Sequence, residues 1–345
     1  MTTIKGFGKK ALSTRLVAAF TIMLALALTT AAAAGACPTS ITECGCTISA
    51  PGTYKMVGPD FVKKPAGTCI DITASNVTLE GNPYVPRVIL GPGTDTPTFG
   101  IHIEASARNV TLTQMSIRGF GEGLRIDGPN ATLFEVGGGG NHKGIVVNGA
   151  KALLIEIGIG SDETVGIQIN ASATNFVMVG GGASSEAEAG IELNGVSGAV
   201  LSSVEAVANG TFGIWLNGAS NNIISNFDAS GNGIAGVYLG CNAAGPNGQA
   251  SCPSSASSNG NSLMGAIFTT DYSIVNNIGG PPNPQRYGMA VGLGSLHNDF
   301  LLISGSDNLV DDALDENPNC GSNRWLFNGF MSTSPPRNTT FTCIN

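Results

Sequence analysis

The sequence predicts an all-β solenoid, and three observations carry that expectation. Near-identical six-residue segments recur: "GLRIDG" from Gly123, "GIVVNG" from Gly144, "GIQINA" from Gly166, "GIELNG" from Gly190 and "GIWLNG" from Gly213. A second apolar signature follows ten to twelve residues after such a glycine, as in Leu112, Met115, Ile117; Leu154, Ile157, Ile159; Leu201, Val204, Ala206; and Ile224, Phe227, Ala229. No repeat contains a stretch of helical periodicity long enough for a helix. A unit of this size built from short strands cannot bury its apolar face alone, so the units must stack.

The strand-starting glycines are Gly100, Gly123, Gly144, Gly166, Gly190, Gly213, Gly236 and Gly288, and the first seven lie 21 to 24 residues apart. The last gap, of 52 residues, holds a Ser/Gly/Pro-rich insertion with its own cysteine pair. Within "GIWLNG", alternation points Ile214 and Leu216 inward and Trp215 outward. The expected inner ladder is Ile101, Leu124, Ile145, Ile167, Ile191, Ile214 and Val237. Asn148, Asn170, Asn194 and Asn217 end their strands. They are expected to adopt left-handed backbone and to bond to their neighbours above and below.

The N-terminus reads as a secretory leader. Lys5, Lys9, Lys10 and Arg15 precede the apolar run Leu16–Ala36, which ends in Ala34-Gly35-Ala36. A basic start, an apolar middle and a small-residue end define a signal peptide over residues 1–36. An uncleaved anchor helix and a lipoprotein attached through Cys37 are the alternatives. Without residues 1–36 the chain holds 12 Lys+Arg against 24 Asp+Glu, a net charge of −12, and no membrane span is expected. Such an acidic chain has no electrostatic footprint for nucleic acid. Eight cysteines follow: Cys37, Cys44, Cys46, Cys69, Cys241, Cys252, Cys320 and Cys343. In an exported chain an even count reads as disulfides. Proximity favours Cys241–Cys252 and Cys320–Cys343, with two bonds among the first four. The expected location is secreted or periplasmic.

This arrangement resembles the right-handed parallel β-helix, the pectin-lyase-like fold of pectate lyases and polygalacturonases, over roughly Cys69 to Val310. The resemblance implies an all-β, right-handed parallel β-helix solenoid with disulfide-bonded end caps, of the secreted bacterial kind. It divides the chain into a leader (1–36), an N-terminal cap and first coil (37–99), helical repeats (100–317, with an inserted loop at 241–260) and a C-terminal cap (318–345). The carboxylate set of polygalacturonases and the His and Arg motifs of pectate lyases are absent.

A lateral sheet face is where such a fold places its site. The outward column of the first sheet reads His102, Arg125, Val146, Gln168, Glu192, Trp215, Tyr238. His102, Glu104, Arg125 and Asp127 form a polar group able to do acid/base chemistry or to hold a metal, and they are the candidate catalytic residues. A surface ion-pair lattice is the alternative. Gln168, Glu192, Trp215 and Tyr238 are candidate substrate contacts, because flat aromatic faces suit sugar rings. The alternative is that the insertion after Gly240 covers both aromatics. No metal-ligand spacing is recognised, and no cofactor is firmly implied. The acidic loop Asp307–Asn319 offers Asp311, Asp312 and Asp315 to Ca²⁺ without EF-hand spacing.

Two function classes follow. One is an exported β-helix that binds or processes extracellular polysaccharide along the lateral face. The other is a non-catalytic surface or periplasmic scaffold, such as an adhesin-like module. A copper-handling accessory protein needs Met/His/Cys clusters, which three dispersed His and paired Cys do not supply. Oligomeric state is not encoded in any feature of the sequence.

Overall fold

Strands form where the two signatures predict them, and they pair only with the equivalent strands of adjacent coils. The computed structural model describes residues 35–62, 67–82, 87–95, 97–241, 243, 245–246, 252–253, 256–264, 268–269, 285–334 and 343–344. Of the expected leader, residues 1–36, positions 1–34 lie outside them, and Gly35–Ala36 is a short strand. Two long parallel sheets run the length of the stack. The first contains the glycine-led segments, among them Phe99–Ile103, Glu122–Ile126, Lys143–Val147, Val165–Asn170, Ala189–Asn194, Phe212–Asn217, Ala235–Leu239 and Tyr287–Val291. The second contains the second signature, as in Val110–Arg118, Thr132–Gly139, Leu153–Gly160 and Val177–Ser184. The fold is a parallel β-helix. Among the described residues the helical content is one 3₁₀ turn, Pro318–Cys320, and no helix is long and apolar enough to cross a membrane.

The register stacks like on like. Ile167 faces Ile191, Ile191 faces Ile214, and Ile214 faces Val237. All seven residues of the expected inner ladder are at most 1% exposed. The odd spacing of the second signature has a backbone cause. Gln114, Glu156, Ser203 and Asn226 occupy its second x position, and each has a positive φ, between 50° and 57°. A left-handed residue turns the chain there, so the apolar residues on both sides point inward. Leu112, Met115 and Ile117 are accordingly all buried.

The repeated glycine has a steric cause. A Cβ at Gly166 would come within 2.6 Å of the Ala183 Cβ, and one at Gly190 within 2.7 Å of Asn209 Nδ2. Those gaps are far below van der Waals contact, so no other residue fits. The strand-end asparagines differ from expectation in one respect. Asn170 donates to Asn148 Oδ1 at 2.8 Å and Asn194 to Asn170 Oδ1 at 3.3 Å, so the ladder exists. Asn217 leaves it and donates to Glu192 Oε1 at 3.1 Å. None of the four has a positive φ; the left-handed step falls on glycines such as Gly195 and Gly218. Left-handed asparagines sit at another corner, where Asn130, Asn109 and Asn76 form their own ladder.

The cysteines pair as Cys37–Cys46, Cys44–Cys69, Cys241–Cys252 and Cys320–Cys343, with no free thiol. The acidic segment near the end is not a loop. Asp311–Asp315 is a strand of the first sheet. Asp312 and Asp315 are buried and accept N–H donors: Met331 and Ser332 backbone for Asp312, Asn317, Asn323 and Trp325 for Asp315. Their carboxylates thus tie down the closing end.

A second polar ladder lies inside the stack, where the chain enters the first sheet. Asn141, Asp162, Glu186, Asn209, Asn232 and Gln285 succeed one another coil by coil. Each side-chain oxygen accepts the backbone N–H of the previous member, from Asn141 N on Asp162 Oδ1 (2.7 Å) to Asn232 N on Gln285 Oε1 (3.0 Å). These corner amides are buried and need an acceptor. An amide side chain is enough, yet two members are acids. Asp162 Oδ2 and Glu186 Oε1 are buried without a hydrogen-bond partner.

Burial pushes the Asp162 carboxyl up to about 7, and burial plus the neighbouring Asp162 charge push Glu186 up to about 8. Unfolded carboxyls titrate near pH 4. Between those limits the folded chain therefore binds more protons than the unfolded one, and stability falls as pH rises from about 4 to about 8. Asp162→Asn combined with Glu186→Gln should make that fall shallower and raise Tm at pH 8, with little effect near pH 4. Thermal unfolding across this range is the check, and an unchanged slope would refute the assignment.

Candidate functional site

The outward column of the first sheet stacks as the sequence predicted. His102 faces Arg125, Arg125 faces Val146, and the column continues through Gln168, Glu192 and Trp215 to Tyr238. It also extends one coil earlier, to Asp71, which faces His102. Sequence reading missed Asp71 because its coil precedes the first recognisable glycine repeat.

The structure brings the four candidate catalytic residues together. His102 Nε2 lies 2.9 Å from Asp127 Oδ2. Arg125 Nε donates to the same oxygen at 2.9 Å, and Asn148 Nδ2 donates to Asp127 Oδ1 at 2.6 Å. On its other side, His102 Nδ1 is 3.3 Å from Glu104 Oε1 and 3.6 Å from Asp71 Oδ1. Burial pushes the Asp127 carboxyl up, but its bonds from Asn148, His102 and Arg125 outweigh this and hold it below the usual range. Asp71 moves the opposite way. Burial and the Glu104 charge raise it, and His102 offsets this only in part. Two carboxylates flanking one imidazole thus have their affinities for protons pushed apart.

The four expected substrate contacts sit differently. Gln168 and Glu192 are buried, and Gln168 Nε2 donates to Glu192 Oε2 at 3.0 Å while Lys143 Nζ donates to Gln168 Oε1 at 2.9 Å. Trp215 and Tyr238 point outward from the coil, yet they are only 9% and 2% exposed. They belong to a second apolar cluster outside the first sheet, with Val165, Ala189, Phe212, Ala235, Tyr287 and Ala290. Phe212 stacks on Tyr238 at 4.9 Å between ring centroids. The start of the insertion closes over them: Trp215 Nε1 donates to the Gly240 carbonyl at 2.7 Å, and Gly245 lies against Phe212. The expected open aromatic platform is therefore absent at this position. A readable signal marks the difference. The residue before each strand glycine faces outward beside the column, and it changes from Phe99, Glu122 and Lys143 to Val165, Ala189, Phe212, Ala235 and Tyr287.

The half-exposed aromatic of this face is Phe99. Its ring lies 5.2 Å from the His102 ring, and the Arg125 guanidinium sits 5.8 Å from its centroid. Phe99 also lines a cleft of about 590 Å³ together with Thr94, Glu122, His142, Lys143 and Glu163. Glu122 links cleft and polar group, since Arg125 Nη1 donates to its Oε1 at 3.5 Å. Its Oε2 has no hydrogen-bond partner. His142 and Thr94 hold Glu163 on the opposite side, at 3.2 and 2.5 Å.

No protein-family model matches the sequence, and no curated protein sequence matches it. Solved structures do match in fold. A Dettilon tailspike protein superposes with a TM-score of 0.59 at 14% identity, over 83% of this chain and 60% of the tailspike. The tailspike of E. coli bacteriophage HK620, solved in complex with a pentasaccharide, gives 0.50 at 10% identity over 83% and 59%. The A-module of an Azotobacter vinelandii mannuronan C-5 epimerase gives 0.45 at 14% identity over 84% and 90%. The chain thus spans about three fifths of the length of these tailspikes. At such identities the likeness is one of fold.

Burial changes what Trp215 is expected to do. Trp215→Ala should leave a cavity under the inserted segment and cost about 3 kcal/mol or more of stability, whatever its effect on binding. Chemical denaturation measures this. A loss below about 1 kcal/mol would place the ring outside the packed cluster.

Proposed function

We propose that this chain is an exported protein that binds polysaccharide on the early coils of its first sheet, with the His102 group beside the binding cleft as its processing centre. The cleft carries the reading. It combines one aromatic wall, Phe99, with hydroxyl-matching donors and acceptors from Thr94, Glu122, His142, Lys143 and Glu163. Ligand sites have this makeup, a concave surface with a few convergent polar groups and a flat apolar one. The His102 ring lies tilted beside Phe99, 5.2 Å between centroids, and Glu122 joins the cleft to Arg125, so the polar group adjoins the cleft without lining it. The pentasaccharide in the HK620 tailspike complex supports this reading by analogy of fold. Four disulfides and the leader-like residues 1–36 support export.

A glycan array with the purified protein, followed by calorimetry on the best ligand, tests the proposal. Phe99→Ala should weaken binding by about 1 kcal/mol, roughly fivefold, through loss of a stacking face. Lys143→Ala should weaken it as well and lower Tm modestly, because buried Gln168 Oε1 loses its donor. A product assay with Asp127→Asn then separates binding from turnover, because that residue matches Asn148 one coil on and preserves the ladder. An array without hits, or affinity untouched by Phe99→Ala and Lys143→Ala together, would sink the proposal and favour a scaffold role.

A further inference from the structure

The Asp71 and Glu104 carboxylates converge on one side of the His102 ring, opposite its contact with Asp127. Asp127 accepts from Arg125 and Asn148 as well as from His102. An ionised carboxylate only accepts, so the His102 Nε2 facing it must carry the hydrogen. The other ring nitrogen, Nδ1, faces Glu104 Oε1 at 3.3 Å and Asp71 Oδ1 at 3.6 Å. Three atoms of metal-ligand type converge there, all within 4.8 Å of one another. Asp71 Oδ1 is a buried atom without a hydrogen-bond partner.

We propose that Asp71, His102 and Glu104 bind a divalent transition-metal ion of the Zn²⁺ class. The spacing fits. Charge-assisted N–H···O bonds run about 2.7–2.9 Å, shorter than either Nδ1 contact. With metal–ligand bonds of about 2.0–2.1 Å, the edge of a tetrahedron is about 3.3 Å, close to both. The donor set fits too. One imidazole nitrogen and two carboxylates suit zinc, whereas Ca²⁺ seeks six or more oxygens. Asp127 supplies the outer support such a histidine requires, a carboxylate on the far ring nitrogen that fixes the ring and raises its basicity. Asp71 and His102 stand on paired strands of adjacent coils, Thr68–Ile72 and Phe99–Ile103, so the set is held on a rigid sheet. Three protein ligands leave a fourth position open, as in zinc sites that bind water or substrate. The proposal stands independently of the glycan reading.

The test is titration of metal-stripped protein with Co²⁺, read by its visible absorption, and then competition with Zn²⁺. One ion per chain is expected, with Zn²⁺ displacing Co²⁺ and millimolar Ca²⁺ displacing neither. His102→Gln and Asp71→Asn should abolish binding. Glu104 is half-exposed beyond its strand end, so Glu104→Gln should weaken binding without changing Tm. Asp127→Asn should lower affinity by about 10- to 100-fold. No stoichiometric binding, binding unchanged in Glu104→Gln and Asp71→Asn, or displacement by Ca²⁺ would each overturn the proposal. So would nitrogen NMR showing His102 protonated on both ring nitrogens in the presence of Zn²⁺.

Discussion

Backbone hydrogen bonds between coils hold neighbouring strands about 4.8 Å apart, and that spacing governs everything else in the molecule. Each strand can satisfy its amides only if the next coil presents the same segment in register. A residue is therefore always packed on its own counterpart, which is why isoleucine faces isoleucine through the centre of the stack. The same rule applies to polar residues. Where the backbone turns a corner and an amide loses its carbonyl partner, a side-chain acceptor must stand in, and it must do so in every coil. The interior ladder from Asn141 to Gln285 is the result of that requirement, and the strand-end ladder from Asp127 to Asn194 repeats the coil-by-coil rule with side chains bonded to one another.

Ladders make substitutions conspicuous. An acid in a column of amides still accepts a hydrogen bond, so the coil geometry tolerates it. Its second oxygen then has no donor, as at Asp162 and Glu186. The outside shows the same exchange at Asp127, which stands where later coils carry asparagine. There the charge is compensated by His102 and Arg125, and a polar group of unlike ionisation forms around it. The exchange keeps the coil geometry in both places, but inside the stack it makes stability depend on pH, and only the outer acid reaches the surface.

These relations explain which features were legible. Strand positions, the inner ladder and the outward column follow from a period repeated seven times, so no single ambiguous segment decided them. The disulfides at 241–252 and 320–343 were legible because short separations leave few competing partners. Burial of Trp215 and Tyr238 was not, since alternation gives the face of a strand but not what covers that face. The sequence did hold the clue, in the change from Lys143 to Val165, Ala189 and Phe212 at the position before the glycine. Asp71 escaped because its coil lacks the glycine that marks the others.

The covering also limits what the first-sheet face can hold. From Val165 onward an apolar cluster occupies its outside, with Gly240 and Gly245 closing over Trp215 and Phe212. The accessible part runs through the coils of Asp71, His102, Arg125 and Lys143, which spans three inter-coil spacings, or about 14 Å. A polymer lying along the whole axis would collide with the cluster. A chain crossing this window would present only a few of its units to Phe99 and Lys143, and one of them to His102. If the face binds glycan as proposed, the physical extent of its open part favours recognition of a short stretch or an end over a continuous groove, and the His102 group would stand at one end of that stretch, against the N-terminal coils.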